Sequence, residues 1–558
     1  MTFERVWHKS YPPGVPAQVA IERITMPEIL EQTARDFPDR VGFIYMGKQI
    51  TFGQLDTMVN RFARALTDLG VGRNDKVGLL LPNIPQVVIA NLAIQRIGAV
   101  AAMNNPLYTE RELAYQLDDA DAKVVVALDL LLPRLEKIRD QTQMTSIITC
   151  HINDFLPFPV KQLFPFVKKA MYRKIKPRKN VFQFMDLLRR YPDKPVDNQA
   201  AWDDDAVLLY TGGTTGVGKG AVLTHANLSS IVQQFAAWFP EFRRGDAERL
   251  LGVYPIFHSA GYTVSQNLII HMAWSVILVP KPEPAVIIDM IKKFKPTFLP
   301  GVPTIFMGLL REPAFREMDL SGVKGYFGGA APLPEAVIKE LQEIHGAVIN
   351  DVYGATENAA LGTCMPWKGR VKTGTVGVPL PNTDLKIVDL ETGTIELPPG
   401  QPGEICLKGP QVMKGYYKKP EETARVLKDG WLRMGDVGVM DEDGYLTILD
   451  RTKDTIVASG FNIYPTEIDG VLLLHPKVAE VCTFGVPDEY RGETVKSWIV
   501  TVPGESLDAE ELTAYCRENL APYKVPKGFR FVNELPKSAI GKMLRREVKK
   551  MELALTEK

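Results

Sequence analysis

Apolar and polar positions follow two alternating periods along the first part of the chain. Residues 55–69 carry apolar side chains at helical spacing, residues 76–81 form a continuous apolar run that predicts a buried strand, and residues 86–97 return to the helical period. Residues 124–128 are a second buried-strand run. Alternation of this kind predicts an α/β domain of layered sheets with helices. Residues 297–303 and 325–332 read as strand-to-turn passages, placed where a sheet presents ligand-binding loops. Residues 347–352 predict another strand, and an apolar helical stretch runs towards Ile270.

From Gly403 the texture changes to short strands and turns. Residues 430–436 followed by 441–445 predict a hairpin. The charged run Asp450-Arg451-Thr452-Lys453-Asp454 reads as a solvated linker and marks the expected domain boundary. The division predicted is a multi-subdomain N-terminal domain over 1–450 and a small α+β C-terminal domain over 451–558, with helices at 465–475 and 508–519.

Composition narrows the class. A length of 558 residues exceeds one core and predicts roughly two to four folding units. Hydrophobic residues make up 45% and charged residues 24%, the balance of a soluble globular protein. Lys plus Arg and Asp plus Glu are both 66, so no charge excess points to nucleic acid. Five cysteines without metal-like spacing predict free thiols in a reducing compartment. With no secretory h-region and no apolar run of membrane-spanning length, the expected location is cytoplasmic.

One segment breaks the pattern. Residues 155–180 hold eight lysines and arginines, no acid, and interleaved Phe155, Phe158, Phe164, Phe166, Met171 and Tyr172. That mixture suits peripheral contact with an anionic membrane surface; the plainer alternative is a solvated basic loop.

The densest chemistry lies in Tyr210-Thr211-Gly212-Gly213-Thr214-Thr215-Gly216-Val217-Gly218-Lys219-Gly220. Glycines let backbone N–H groups converge on an anion, threonine hydroxyls add donors, and Lys219 adds a mobile positive charge, so the stretch predicts a phosphate cradle. Gly213 to Lys219 fits seven positions of the P-loop pattern, but Gly220 replaces the magnesium-binding Ser or Thr. Strand-like runs at 206–209 and 221–223 place the glycines between strands, with a helix only from about 224–227, whereas a P-loop feeds directly into a helix. A P-loop NTPase is therefore the alternative reading. Tyr353-Gly354-Ala355-Thr356-Glu357 combines an aromatic ring, a hydroxyl and a carboxylate at a strand end. His258 lies in a turn-rich block, and Lys542 on a glycine-containing loop before a basic helix.

Together these blocks resemble the acyl-adenylate-forming enzymes, the family of acyl-CoA synthetases, luciferases and peptide-synthetase adenylation domains. The similarity covers almost the whole chain. Residues 11–16, 105–113 and 409–416 look most like bacterial long-chain fatty-acid–CoA ligases. The resemblance implies an AMP-forming acid–thiol ligase that uses ATP, Mg²⁺ and CoA and acts on a medium- or long-chain fatty acid. An aryl- or alicyclic-carboxylate ligase is the alternative within the family, and a noncatalytic membrane-associated binding protein on the same fold lies outside it.

Roles follow by resemblance. Thr211, Gly212, Gly213, Thr214, Thr215, Gly216 and Lys219 would hold the ATP phosphates. Gly329, Ala330, Tyr353 and Gly354 would surround adenine. Thr356 would contact the α-phosphate, and Glu357, with Thr211, would bind magnesium. Asp436 and Arg451 would hold the ribose. Lys453 would be the hinge, and Lys542 would bridge carboxylate and α-phosphate. Gly460 and Phe461 would line the CoA path, and His258 and Gly301 the acyl pocket. Gly213, Gly218 and Met434 depart from the commonest pattern, and Met434 removes a hydroxyl beside Asp436. A homodimer is a further expectation; no nucleic-acid partner is expected.

Overall fold

The computed structural model describes residues 5–211, 218–329, 331, 333–458, 461–488, 490–538 and 543–556. The first apolar run becomes the strand Lys76–Leu80, inside an eight-stranded sheet. Val100–Met103 and Ala122–Leu128 run parallel on its two sides, and Asp205–Thr211, Ser146–Cys150 and Val181–Gln183 extend the parallel set outward. Strands covered on both faces can be apolar throughout, which explains the continuous runs. One edge reverses: Asp205–Thr211 turns back antiparallel into Lys219–Thr224, and that strand pairs with the distant Gly415–Tyr416.

A second sheet of nine strands has a parallel centre formed by Arg249–Gly252, Ser275–Leu278, Phe298–Gly301, Gly325–Gly328 and Ile349–Tyr353. The early hairpin of Val41–Tyr45 and Lys48–Thr51 completes one edge by pairing with Ser275–Leu278. The helix Pro85–Arg96 is buried at every residue, as its apolar character on all sides requires. Two of its polar side chains find partners: Arg96 Nη2 lies 2.7 Å from Asp56 Oδ1, and Gln95 Nε2 donates to the Tyr262 hydroxyl at 2.7 Å. The helix predicted at 55–69 starts earlier, at Phe52–Asp68, because Thr51 and Gln54 form a capping box.

Two further elements differ from expectation. The third, antiparallel sheet begins at Asp384–Val388 rather than at Gly403, and it contains the predicted hairpin as Trp431–Met440 and Leu446–Arg451. The stretch after His258 opens with π-helical turns over Gly261–Leu268 before Ile269–Met272.

Beyond it a five-stranded sheet, with helices Pro465–Leu473, Ala509–Asn519 and Arg545–Thr556, has apolar clusters of its own. The junction 450–454 is anchored at its first residue, although Lys453 within it is exposed. Asp450 is 3% exposed, and Arg545 reaches it at 3.1 Å while also pairing with Asp469 at 2.7 Å. A buried carboxylate needs such a partner.

Candidate active site

Thr211 and Lys219, at the described ends of the glycine-rich stretch, lie on the reversed edge of the first sheet. Thr211 and Lys219 are register partners at the base of the hairpin. The helix His225–Ala237 starts only after the second strand has ended, so the geometry is not that of a P-loop, in which the loop leads directly into the helix. Gly212, Gly213, Thr214, Thr215 and Gly216 lie outside the described residues. Lys219 Nζ is 2.6 Å from Glu422 Oε2 and 5.0 Å from the centre of the Tyr416 ring. The hydrogen bond from Lys219 holds the Glu422 carboxyl below its ordinary range.

Tyr416 connects this edge to the second sheet. Its hydroxyl donates to Glu357 Oε1 at 2.7 Å, and Met413 N donates to Glu357 O at 2.8 Å. Glu357 belongs to the turn Thr356–Asn358 that follows the strand Ile349–Tyr353. Gly354 makes that turn possible, since a Cβ there would lie 2.2 Å from Ala360 O. Thr356 is nearly buried, with Oγ1 3.5 Å from Ser259 Oγ.

Tyr353 extends the chain of contacts in the other direction. Its hydroxyl donates to Asp436 Oδ2 at 2.6 Å, and Arg451 Nε lies 2.9 Å from Asp436 Oδ1. Asp436 and Arg451 are register partners on the hairpin of the third sheet. Burial, reinforced by Asp436, pushes the Tyr353 phenol well above its ordinary range. Met434 is buried on the same strand as Asp436.

The neighbouring strand ends form a glycine-lined floor. Gly301 and Gly328 are register partners, and Tyr254 donates to Gly301 O at 3.1 Å. A Cβ on Gly329 would meet Val352 at 3.0 Å, and one on Gly328 would lie 2.2 Å from Asp351 Oδ1. Burial pushes the Asp351 carboxyl up to about 7.

The sequence profile described as AMP-binding enzyme matches residues 30–417, and that of the AMP-binding enzyme C-terminal domain matches residues 467–542. This chain belongs to the AMP-binding enzyme family. The long-chain-fatty-acid–CoA ligase of Bacillus subtilis is 40% identical over 551 residues, 98% of each chain. The enzyme of the same name from Escherichia coli O157:H7 is 37% identical over 554 residues, again 98% of each. Among solved structures, ATP-bound MatB from Rhodopseudomonas palustris superposes with a TM-score of 0.84 at 29% identity, covering 95% of this chain and 99% of that one. The anthranilate CoA ligase AuaEII, with anthranoyl-AMP, gives 0.84 at 25% identity, covering 96% of this chain and 98% of that one.

In this AMP-binding enzyme, contacts join Lys219, Glu357, Tyr353, Asp436 and Arg451 through Tyr416 and the Thr356 turn. Gly301 pairs with Gly328, the residue before Gly329. His258 is half-buried at the entrance to the π-helical turns, where its carbonyl accepts from Tyr262 N at 2.9 Å. Lys453 is exposed, and its charge acts on Glu422. Phe461 begins a strand of the small sheet. Ala330, Gly460 and Lys542 lie outside the described residues. Sequence reasoning did not single out Glu422, which lies beside Lys219, or Asp351, which lies against Gly328. Glu422 carries no local signal, and Asp351 sits two residues before Tyr353 in a strand that reads as structural.

No group of three or more His, Cys, Asp or Glu side chains poised for a metal occurs among the described residues. Glu357 offers a single carboxylate, which suits magnesium, an ion that commonly takes one or two protein carboxylates and completes its shell with phosphate and water.

Proposed function

We propose that this AMP-binding enzyme is an AMP-forming acyl-CoA synthetase for medium- or long-chain fatty acids. It would convert ATP, acid and CoA to acyl-CoA, AMP and pyrophosphate in two half-reactions. The observation that carries the reading is the continuous line of contacts from Lys219 through Tyr416 and Glu357 to Tyr353, Asp436 and Arg451. It joins a cation and a carboxylate, which suit phosphates and their metal, to an aromatic ring and a buried ribose acceptor. The names of the relatives support the choice of acid.

In the first half-reaction a carboxylate oxygen attacks the α-phosphorus and pyrophosphate leaves. Lys219 would answer the charge of the β- and γ-phosphates, and Thr356 would donate to the α-phosphate. Asp436, held by Arg451 and Tyr353, would accept from the ribose hydroxyls. Magnesium bound at Glu357 would supply further neutralisation of the phosphates. In the second half-reaction the CoA sulfur attacks the acyl carbon and AMP leaves, with Gly460 and Phe461 lining the approach. Lys542 serves the first step and obstructs the second, so the C-terminal domain, divided at 450/451, turns about Lys453 between them.

The decisive assay is AMP release from ATP with Mg²⁺, CoA and acids from acetate to palmitate and benzoate. AMP formed only with a fatty acid is the expected result. Release of ADP without acid would overturn the reading. Benzoate as the best substrate would favour an aryl-carboxylate ligase, the reading supported by the similarity to AuaEII. Lys542→Ala should depress adenylation on the order of a hundredfold while sparing thioester formation from supplied acyl-AMP. Equal loss in both half-reactions would contradict the rotation.

A further inference from the structure

None of this chemistry uses residues 155–180, which join the strands Ser146–Cys150 and Val181–Gln183 without one acidic side chain. The base of the segment is fixed to the first sheet. Buried Asp129, just past Ala122–Leu128, accepts from Arg173 N at 2.5 Å. His151 Nε2 lies 3.1 Å from Arg173 O, and its ring stacks on Tyr172 with centroids 4.7 Å apart. Lys161 Nζ donates to Asp154 O at 2.6 Å, and Phe164 is buried.

From this rooted base the short helix Val160–Val167 projects with its flanks. Phe158 is 83% exposed, Phe166 73%, Val167 72% and Leu163 54%. Large apolar side chains this exposed and this close together mark a contact surface. Lys168, Lys169, Lys174, Lys176 and Lys179 stand exposed along the same segment.

We propose that this projection docks the enzyme on an anionic lipid bilayer. Phe158, Leu163, Phe166 and Val167 enter the boundary between headgroups and acyl chains, and the lysines meet lipid phosphates. Charge decides the occupant. Pairing this face with its own copy would bring like charges together around the apolar contact, whereas an anionic bilayer satisfies both kinds of side chain. A nucleic acid would meet the lysines and leave the four apolar tips in water. Eight residues of helix extend only about 12 Å, far short of the roughly 30 Å hydrocarbon core, so the contact is interfacial. Consistent with this, no described helix is long and apolar enough to cross a membrane. The docking does not depend on which acid is activated.

The test is sedimentation of the full-length chain with vesicles of phosphatidylcholine alone or with added phosphatidylglycerol. Wild type should bind the anionic vesicles and lose them as salt rises. Phe158→Asp with Phe166→Asp, and separately Lys168→Glu with Lys169→Glu and Lys174→Glu, should each weaken partitioning by about tenfold or more. Acid-dependent AMP release in solution should stay within about twofold, reporting an intact fold, since such surface changes usually shift stability little. Wild type that ignores phosphatidylglycerol, or variants that bind as wild type does, would overturn the proposal. So would a lipid-free doubling of mass that the Phe158→Asp, Phe166→Asp variant abolishes, which would assign the face to a second copy. Vesicle binding by a chain that forms no AMP would leave the docking standing and remove the ligase reading.

Discussion

Glu422 occupies the place of an anion beside Lys219. Its two oxygens lie 2.6 Å from Lys219 and 2.7 Å from Arg425. In the proposed reaction the β- and γ-phosphates must take Lys219 from it. Glu422→Gln should therefore lower the KM for ATP about two- to fivefold, the range expected for a partly exposed ion pair, with kcat little changed. An unchanged or raised KM in steady-state kinetics would exclude this competition. Asp351 invites a different measurement. An acid whose folded-state pKa is raised to about 7 keeps its proton in the fold while the unfolded chain has lost it. Stability then falls as pH rises from about 4 to 7 and levels off above, by at most about 4 kcal/mol. Asp351→Asn should flatten that slope in urea titrations of the nucleotide-free protein between pH 5 and 8; a slope equal to that of wild type would assign the dependence elsewhere. Lys219, Glu357, Tyr353 and Asp436 could be picked out as candidates because each sits in a block whose local composition is unusual. Glu422 was not, because what makes it matter is a lysine 203 residues away.

At the level of elements, the turn after Ile349–Tyr353 is the tightest piece of the site. Gly354→Ala would drive a methyl group against the Ala360 carbonyl and should destabilise the protein by about 1–3 kcal/mol. It should also raise the KM for ATP by separating Tyr353 from Thr356. Thermal melting paired with kinetics checks both effects, and a variant equal to wild type in both would show that the turn can relax. The helix Pro85–Arg96 and the strand Lys76–Leu80 were readable because their apolar runs have the right lengths for a buried helix and a buried strand. The π-helical turns at Gly261–Leu268 were not, because eight residues are too short a stretch for their longer period to be told from that of an α-helix. The hairpin carrying Thr211 and Lys219 was visible as two strand-like runs, but its outer partner Gly415–Tyr416 was not, being only two residues long.

Across the whole molecule, Arg545 ties the last strand of the third sheet to the helix Pro465–Leu473 through Asp450 and Asp469. Arg545→Ala would leave buried Asp450 and largely buried Asp469 without their countercharge and should cost about 3–5 kcal/mol. Calorimetry should find the transition of the small domain lowered and that of the large one nearly unmoved; a single transition shifted as a unit would show that the two melt together. Long-range pairing of this kind also governs how the polypeptide matures. Val41–Tyr45 waits for Ser275–Leu278, and the edge of Lys219–Thr224 waits for Gly415–Tyr416. During synthesis the ribosome therefore carries a chain with bare strand edges until residue 416 has emerged. Bare edges recruit foreign strands, so both edges need shielding until their distant partners have been made.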